Sequence, residues 1–341
     1  KEQVEKMAFS DDAEQVNEWL KQVREFRRLI LEVEDFPLQY FYDVRESIVR
    51  IRIENTHLEE NELFDLRRSL STIDCIVKIL NHSDEDESHA EENDGWRREK
   101  KYTYPSLHLL AKDIVTFPQI VQRIDQILDK FGKIRDNATP ELLQIRRELA
   151  KTEGSISCTL YSILRSAQSE GVVEKDVTPT MRDGRLVIPV IPTLKKKIKG
   201  IVHDESATGK TVFIEPTEVV EANNRVRELE GEERKEIIRI LTQFTNKLRP
   251  YTREIMDSYR FLAKIDLIQA KQKLAEIQKA IEPEVEDHPH IDWIRAIHPL
   301  LQQSLEKKGE KVVPLDITLT QDKRILIISG PNAGGKSVCL K

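Results

Sequence analysis

The sequence has three cysteines in 341 residues, Cys75, Cys158 and Cys339, too far apart for a CxxC pair or a zinc-ligand spacing. That excludes a disulfide-framed fold and points to a reduced, intracellular setting. Aromatics are only 6%, with 12 glycines and 14 prolines, too few turn formers for an all-β protein. No apolar run approaches the ~20 residues needed to span a bilayer, and no signal peptide is visible, so no membrane partner is expected. An excess of positive charge is also lacking: the formal net charge is -6. A dedicated nucleic-acid-binding domain is usually basic, although net charge says little about local patches. No metal cluster is apparent. The chain begins at Lys1 and ends at Lys341, and the expectation is a fragment of a longer protein.

What is present is mostly helical periodicity. Residues 1–80 read as several short helices: Ser10-Asp11-Asp12 is an N-cap for the one carrying Val16, Leu20 and Val23, and Phe26, Leu29, Ile30 and Val33 also recur at helical spacing. Leu63, Leu66, Leu70, Ile73, Ile76, Val77 and Leu80 mark another helix. Ser83 to Gly95 is acidic and without apolar period, and reads as a solvated loop. Helix over 106–131 breaks near Phe117-Pro118. Thr139-Pro140-Glu141 opens the next: a Thr cap, Pro at the first position, acid in the first turn. Leu142, Ile145, Leu149, Ile156, Leu160, Ile163 and Leu164 carry it to about Ser169.

The pattern then changes. Asp183-Gly184 signals a tight turn before Leu186-Val187-Ile188-Pro189-Val190. Ile201-Val202 and Thr211-Val212-Phe213-Ile214 flank a second turn at Glu205 to Gly209. Helix resumes after Pro216 through Val226, Leu229, Ile237, Ile240, Phe244 and Leu248, with Glu233 the one gap. Pro250 should kink or end it. Periodicity runs on from Ile255 to about Ile277, and Pro283 and Pro289 mark a linker. A helix of about 30 residues on each side of the β module spans roughly 45 Å. Packed antiparallel, the two place the module at the tip of a long arm; the alternative is a compact α+β domain with the hairpins folded back.

Near the end, Arg324-Ile325-Leu326-Ile327-Ile328-Ser329 reads as a buried strand, followed at once by Gly330-Pro331-Asn332-Ala333-Gly334-Gly335-Lys336-Ser337. This fits G-x-x-x-x-G-K-[ST] in full, and Val338, Cys339 and Leu340 could open a helix. Phosphates need several backbone N–H donors converging on one point, and glycines leave that approach open. Lys336 supplies a cation to the β- and γ-phosphates of ATP, and the Ser337 hydroxyl is the expected Mg2+ ligand. Gly330, Pro331, Asn332, Ala333, Gly334, Gly335, Lys336, Ser337 and Val338 are therefore the expected nucleotide-binding residues. A Walker B acid and the catalytic carboxylate are expected downstream, so the sequence as given is not expected to hydrolyse ATP.

The loop with its Gly-Pro-Asn opening resembles that of the MutS family. Ala296-Ile297-His298-Pro299-Leu300-Leu301 is similar to that family's Arg-His-Pro entry to the ATPase domain, with Ile297 in the Arg position. Val313-Pro314-Leu315-Asp316-Ile317 resembles its Val-Pro-Asn-Asp segment, with Leu315 for Asn. Gly200-Ile201-Val202-His203-Asp204-Glu205-Ser206-Ala207-Thr208-Gly209-Lys210-Thr211-Val212-Phe213-Ile214-Glu215-Pro216, followed by Asn223-Asn224, resembles the clamp of the second (Smr-linked, MutS-II type) branch, which lacks mismatch-reading and connector domains. The resemblance implies a mainly α fold with a small β module: a helical core (1–135), an ascending lever helix (136–172), a clamp-like module (173–216), descending lever helices (217–280) and the first part of a P-loop α/β ATPase domain (281–341). It further implies cytoplasmic homodimers with ATPase sites completed by the partner, branched DNA or collided ribosomes as targets, and a downstream Smr nuclease domain. The position matching the family's adenine-stacking aromatic is about Val312, so stacking is replaced by a weaker apolar contact.

Lys195, Lys196, Lys197 and Lys199, with Lys210 across the hairpin, are candidates for nucleic-acid contact, or else a solvated turn. His203 and Asp204 are neighbours on a strand and point to opposite faces, so a structural hydrogen-bonding role is expected rather than a catalytic pair. His298 reads as a structural or nucleotide-edge residue. No catalytic residue is assigned. Two other classes fit the same features: an ABC/SMC-like mechanical ATPase, and a helical interaction module with a vestigial P-loop.

Overall fold

The computed structural model describes residues 2–38, 41–83, 101–330 and 335–336. Its elements in chain order are α1 (Glu2–Glu5), α2 (Ala13–Glu32), α3 (Arg45–Arg50), α4 (Glu60–Leu80), α5 (Pro105–Ala111), α6 (Pro118–Ile127), α7 (Pro140–Ser169), β1 (Thr180–Arg182), β2 (Arg185–Val190), β3 (Gly200–Glu205), β4 (Val212–Pro216), α8 (Thr217–Leu248), α9 (Thr252–Gln278), β5 (Ile291–Ala296), α10 (Pro299–Glu306) and β6 (Leu315–Leu319). Short 3-10 turns occupy Pro192–Lys197 and Arg249–Tyr251. The fold is mainly α with small antiparallel sheets, as expected. No described helix is long and apolar enough to cross a membrane. Of the acidic stretch from Ser83 to Gly95, everything after Ser83 lies outside the described residues.

Prolines punctuate the helices where the sequence places them. Pro118 and Pro140 sit at helix starts, where a missing N–H costs nothing. Pro250 falls in the 3-10 turn that separates α8 from α9.

The chain divides into two compact units. The first comprises residues 1–38, 75–115 and 257–341. In it, Asp12 caps α2 by accepting from the Glu14 and Gln15 amides at 2.9 and 3.2 Å. Helix α5 has no cap of its own. Instead the Glu25 carboxylate, from α2, accepts from the Ser106 and Leu107 amides at 3.0 and 2.9 Å, which satisfies two orphan donors and opposes the helix dipole. Phe26 packs edge-to-face on Phe36. Strands β5 and β6 pair antiparallel from Ile291↔Leu319, with a bulge between Trp293 and Ala296.

The second unit comprises residues 39–74 and 116–256. Its main feature is the α7–α8 pair. Thr139 Oγ1 donates to Glu236 Oε1 at 2.8 Å, Arg146 Nε to Glu233 at 2.7 Å, and Arg225 Nη2 to Glu148 at 2.9 Å. As numbering rises along α7 it falls along α8, so the helices are antiparallel. The polar gap at Glu233 is thereby explained: it accepts Arg146. Where the chain leaves α7 and before it enters α8, it forms a four-stranded sheet in the order β1-β2-β4-β3. Ile156, Leu160, Leu164 and Ala167 of α7, Ile188 and Val190 of β2, Val212 and Ile214 of β4, and Val219 and Val226 of α8 make one core. Each Val, Leu or Ile side chain among these contributes about 1.5–3 kcal/mol on leaving water. The Asp183-Gly184 turn takes positive φ at both residues (47° and 71°), the geometry that a two-residue hairpin turn demands.

One expected element does not form. The run from Arg324 to Ser329 is not a strand, and Ile325 and Ile327 are 84% and 85% exposed. An apolar β-branched run becomes a strand only through ladder partners, and none pairs with it among the described residues.

Candidate functional site

Of the nine expected nucleotide-binding residues, the structure describes Gly330, Gly335 and Lys336; Pro331, Asn332, Ala333, Gly334, Ser337 and Val338 lie outside the described residues. Gly330 and Gly335 have φ of 155° and 82°, values that disfavour any side chain. A Cβ built on either meets nothing within 4 Å, so these glycines are required by backbone conformation and not by packing. The Lys336 ammonium donates to the Gly330 carbonyl at 2.7 Å. The Lys336 side chain thus reaches back to the first residue of the motif. A lysine cation beside glycine backbone is the kind of chemistry that phosphate recognition uses. His298 caps α10: its Nδ1 accepts from the Leu301 amide at 3.3 Å. Val312 is half-buried.

Lys195, Lys196, Lys197 and Lys199 are exposed, as is Lys210, while Ile198 between them is buried. Their geometry differs from a single patch. Lys195, Lys196 and Lys197 lie on the 3-10 turn, where successive residues project about 120° apart. Lys199 precedes β3 at the end of the ladder where Gly200 faces Pro216, and Lys210 lies beyond the opposite end, where Glu205 faces Val212. The strand between separates them by about 17 Å. The structure brings Lys199 close to the 3-10 turn and not to Lys210.

The β module holds a charged centre that sequence reasoning missed. Glu215, the last polar residue of β4, has no exposed surface. Both its oxygens accept from Arg185 Nη1 of β2 at 2.7 and 2.8 Å, one also accepts from Asn223 Nδ2 of α8 at 2.6 Å, and the other lies 2.5 Å from His203 Nε2 of β3. Burial pushes the Glu215 pKa up, but the hydrogen bonds from Asn223, His203 and Arg185 and the Arg185 charge outweigh it, holding the carboxyl below its ordinary value. One buried carboxylate therefore ties three elements, β2, β3 and α8, to β4. His203 has the structural role expected of it. A glutamate closing the apolar run Val212-Phe213-Ile214 was the available signal. Gly200 is equally constrained: a Cβ there would sit 2.1 Å from the Glu215 carbonyl oxygen.

The absence of any metal cluster also needs correction: Glu286, His288 and His290 come together, all exposed. The trio lies on the linker between α9 and β5.

No protein-family model matches the chain. It is similar to a Levilactobacillus brevis protein named endonuclease MutS2, 36% identical over 335 residues, covering 98% of this chain and 40% of that relative. The proteins of the same name from a Geobacillus species and from Alkaliphilus oremlandii are 34% and 31% identical over 341 residues, covering all of this chain and 41% and 40% of theirs. The chain spans about two fifths of the length of these curated relatives. Identity of 31–36% sustained across almost every residue joins the glycine loop and the β module to one lineage, and the chain belongs to the MutS2 branch of the MutS family.

Proposed function

We propose that this chain is the part of a MutS2-type protein that couples ATP binding to a grip on nucleic acid, with branched DNA as the substrate. The observation that carries the reading is the glycine loop, whose Lys336 ammonium folds onto Gly330 O at 2.7 Å in a chain with this family membership. Lys336 and the backbone N–H groups of the loop, of which Pro331 has none, would hold the phosphates, and Ser337 would ligate Mg2+. The bound metal supplies neutralisation of charge on the transferring phosphate; the chain's own residues bind and orient the nucleotide.

In this reading residues 136–172 and 217–280 are lever helices, 173–216 a clamp-like module, 1–135 the core and 281–341 the start of the ATPase domain. The antiparallel α7–α8 pair and the sheet inserted between its helices support the lever and clamp roles, because the ion pairs along it stiffen a connection that ends in exposed lysines. The protein acts in the cytoplasm as a homodimer in which each partner completes the other's ATPase site. A nuclease domain of Smr type in the same polypeptide accounts for the name that the relatives carry.

The test is binding to a fluorescent four-way junction by the protein at its natural length, with and without ATP and Mg2+. The reading predicts tighter binding to the junction than to linear duplex, and a change in dissociation rate when ATP is added. Equal affinity for both DNAs together with co-sedimentation on ribosomes would replace DNA with the ribosome as target. Nucleotide-independent binding to both would remove the coupling.

A further inference from the structure

The linker between α9 and β5 carries chemistry that the nucleotide reading leaves unused. Residues 281–290 form no helix or strand, yet they are anchored on both sides. Asn17 Nδ2 donates to the Val285 carbonyl at 2.9 Å, Arg24 pairs with Glu282 at 3.3 Å, and Ile291 enters the β5–β6 ladder opposite Leu319. Between these anchors runs Glu286-Asp287-His288-Pro289-His290. The ligand atoms of Glu286, His288 and His290 gather on one side of this segment. A bend at 287–289 draws the ends of that side together. Pro289 fixes its own φ and with it the spacing of the two histidines.

The ligand atoms of the three side chains lie within 4.8 Å of one another. His288 Nε2 and His290 Nδ1 are 3.2 and 4.0 Å from the same Glu286 oxygen. The two imidazole planes are within 9° of parallel, with centroids 5.8 Å apart. From this geometry we propose that Glu286, His288 and His290 form a binding site for a divalent transition-metal ion, Zn2+ being the best fit.

Two imidazole nitrogens and one carboxylate oxygen suit a borderline cation, whereas Mg2+ and Ca2+ select all-oxygen sets. Zinc bonds of about 2.0–2.2 Å place tetrahedral ligands closer together than the widest separation here. Because all three side chains are exposed, rotation about their own torsions closes the difference without moving the core. Water fills the remaining position. A bound ion would pin the bend of the linker that leads from α9 into β5.

The test uses the untagged chain, stripped of metal, titrated with ZnCl2 by calorimetry and equilibrium dialysis. One Zn2+ per chain is expected. The double variant His288→Ala/His290→Ala should abolish that binding, and Glu286→Gln should weaken it by on the order of ten-fold or more, since loss of even an outer-shell partner costs that much. A control, His57→Ala/His82→Ala, should bind as the parent does, and excess Mg2+ should not compete. Far-UV circular dichroism checks that the variants fold. Absence of Zn2+ binding by the parent at submillimolar metal, or undiminished binding by His288→Ala/His290→Ala, overturns the site.

Discussion

Replacing Glu215 by Ala tests whether one buried carboxylate locks the β module to α8. The structure gives the magnitude. Glu215 has no exposed surface and its main partner Arg185 is 13% exposed. Removing one member of a buried charge pair costs about 3–5 kcal/mol, because the other charge is left uncompensated. Arg185 keeps one neighbour, Asn224 Oδ1 at 2.5 Å, which places the cost near the lower end, about 3 kcal/mol, or roughly two decades in an opening equilibrium. Glu215→Gln keeps the shape and an acceptor but loses the charge, and should cost about 1.5 kcal/mol. Native-state hydrogen exchange of the β2–β4 ladder amides reads this directly. The pH dependence has a definite sign. The Glu215 pKa is lowered in the fold from an ordinary 4.5, so its contribution is complete above that value and fades as pH falls through the folded-state pKa. The gap between parent and Glu215→Ala should therefore be constant around neutrality and close in acid. If exchange at Val212, Phe213 and Ile214 stays within a few-fold of the parent at neutral pH, the latch is refuted.

Gly154→Ala and Gly231→Ala, on α7 and α8 with nothing within 4 Å of a new Cβ, should each stabilise by about 0.8–1 kcal/mol, seen as raised thermal midpoints. Gly200→Ala should do the reverse, costing about 3 kcal/mol or more through its clash with the Glu215 carbonyl, with loss of protection in β3. Reversing charge at Lys195, Lys196, Lys197 and Lys199 should weaken branched-DNA binding. The fan of the 3-10 turn lets only some of the four address one phosphate run, so the salt slope should fall by about 1–2 units. An unchanged slope removes the contact.

The features legible in the sequence are those that local chemistry decides. Thr139-Pro140-Glu141 started a helix as read, with Thr139 Oγ1 accepting from the Leu142 amide at 3.1 Å, because a cap involves only its own first turn. Asp183-Gly184 is equally local. Glu215 was not legible as a centre, since its partners come from residues 185, 203 and 223 and meet only once the sheet and α8 have folded. The run from Arg324 to Ser329 failed in the opposite sense: apolarity is written in the sequence, but a strand needs neighbours that periodicity does not name. The lysines read as one patch because a run in sequence resembles a patch, until the turn they sit on spreads them.

If Lys336 and its glycine loop bind ATP, fluorescent-ATP binding by the protein at its natural length should separate the parent from Lys336→Ala. Mg2+-dependent binding by the parent is expected, with a loss of about ten- to a hundred-fold in the variant, the worth of a hydrogen bond to a charged group. Equal binding by the two proteins would contradict it.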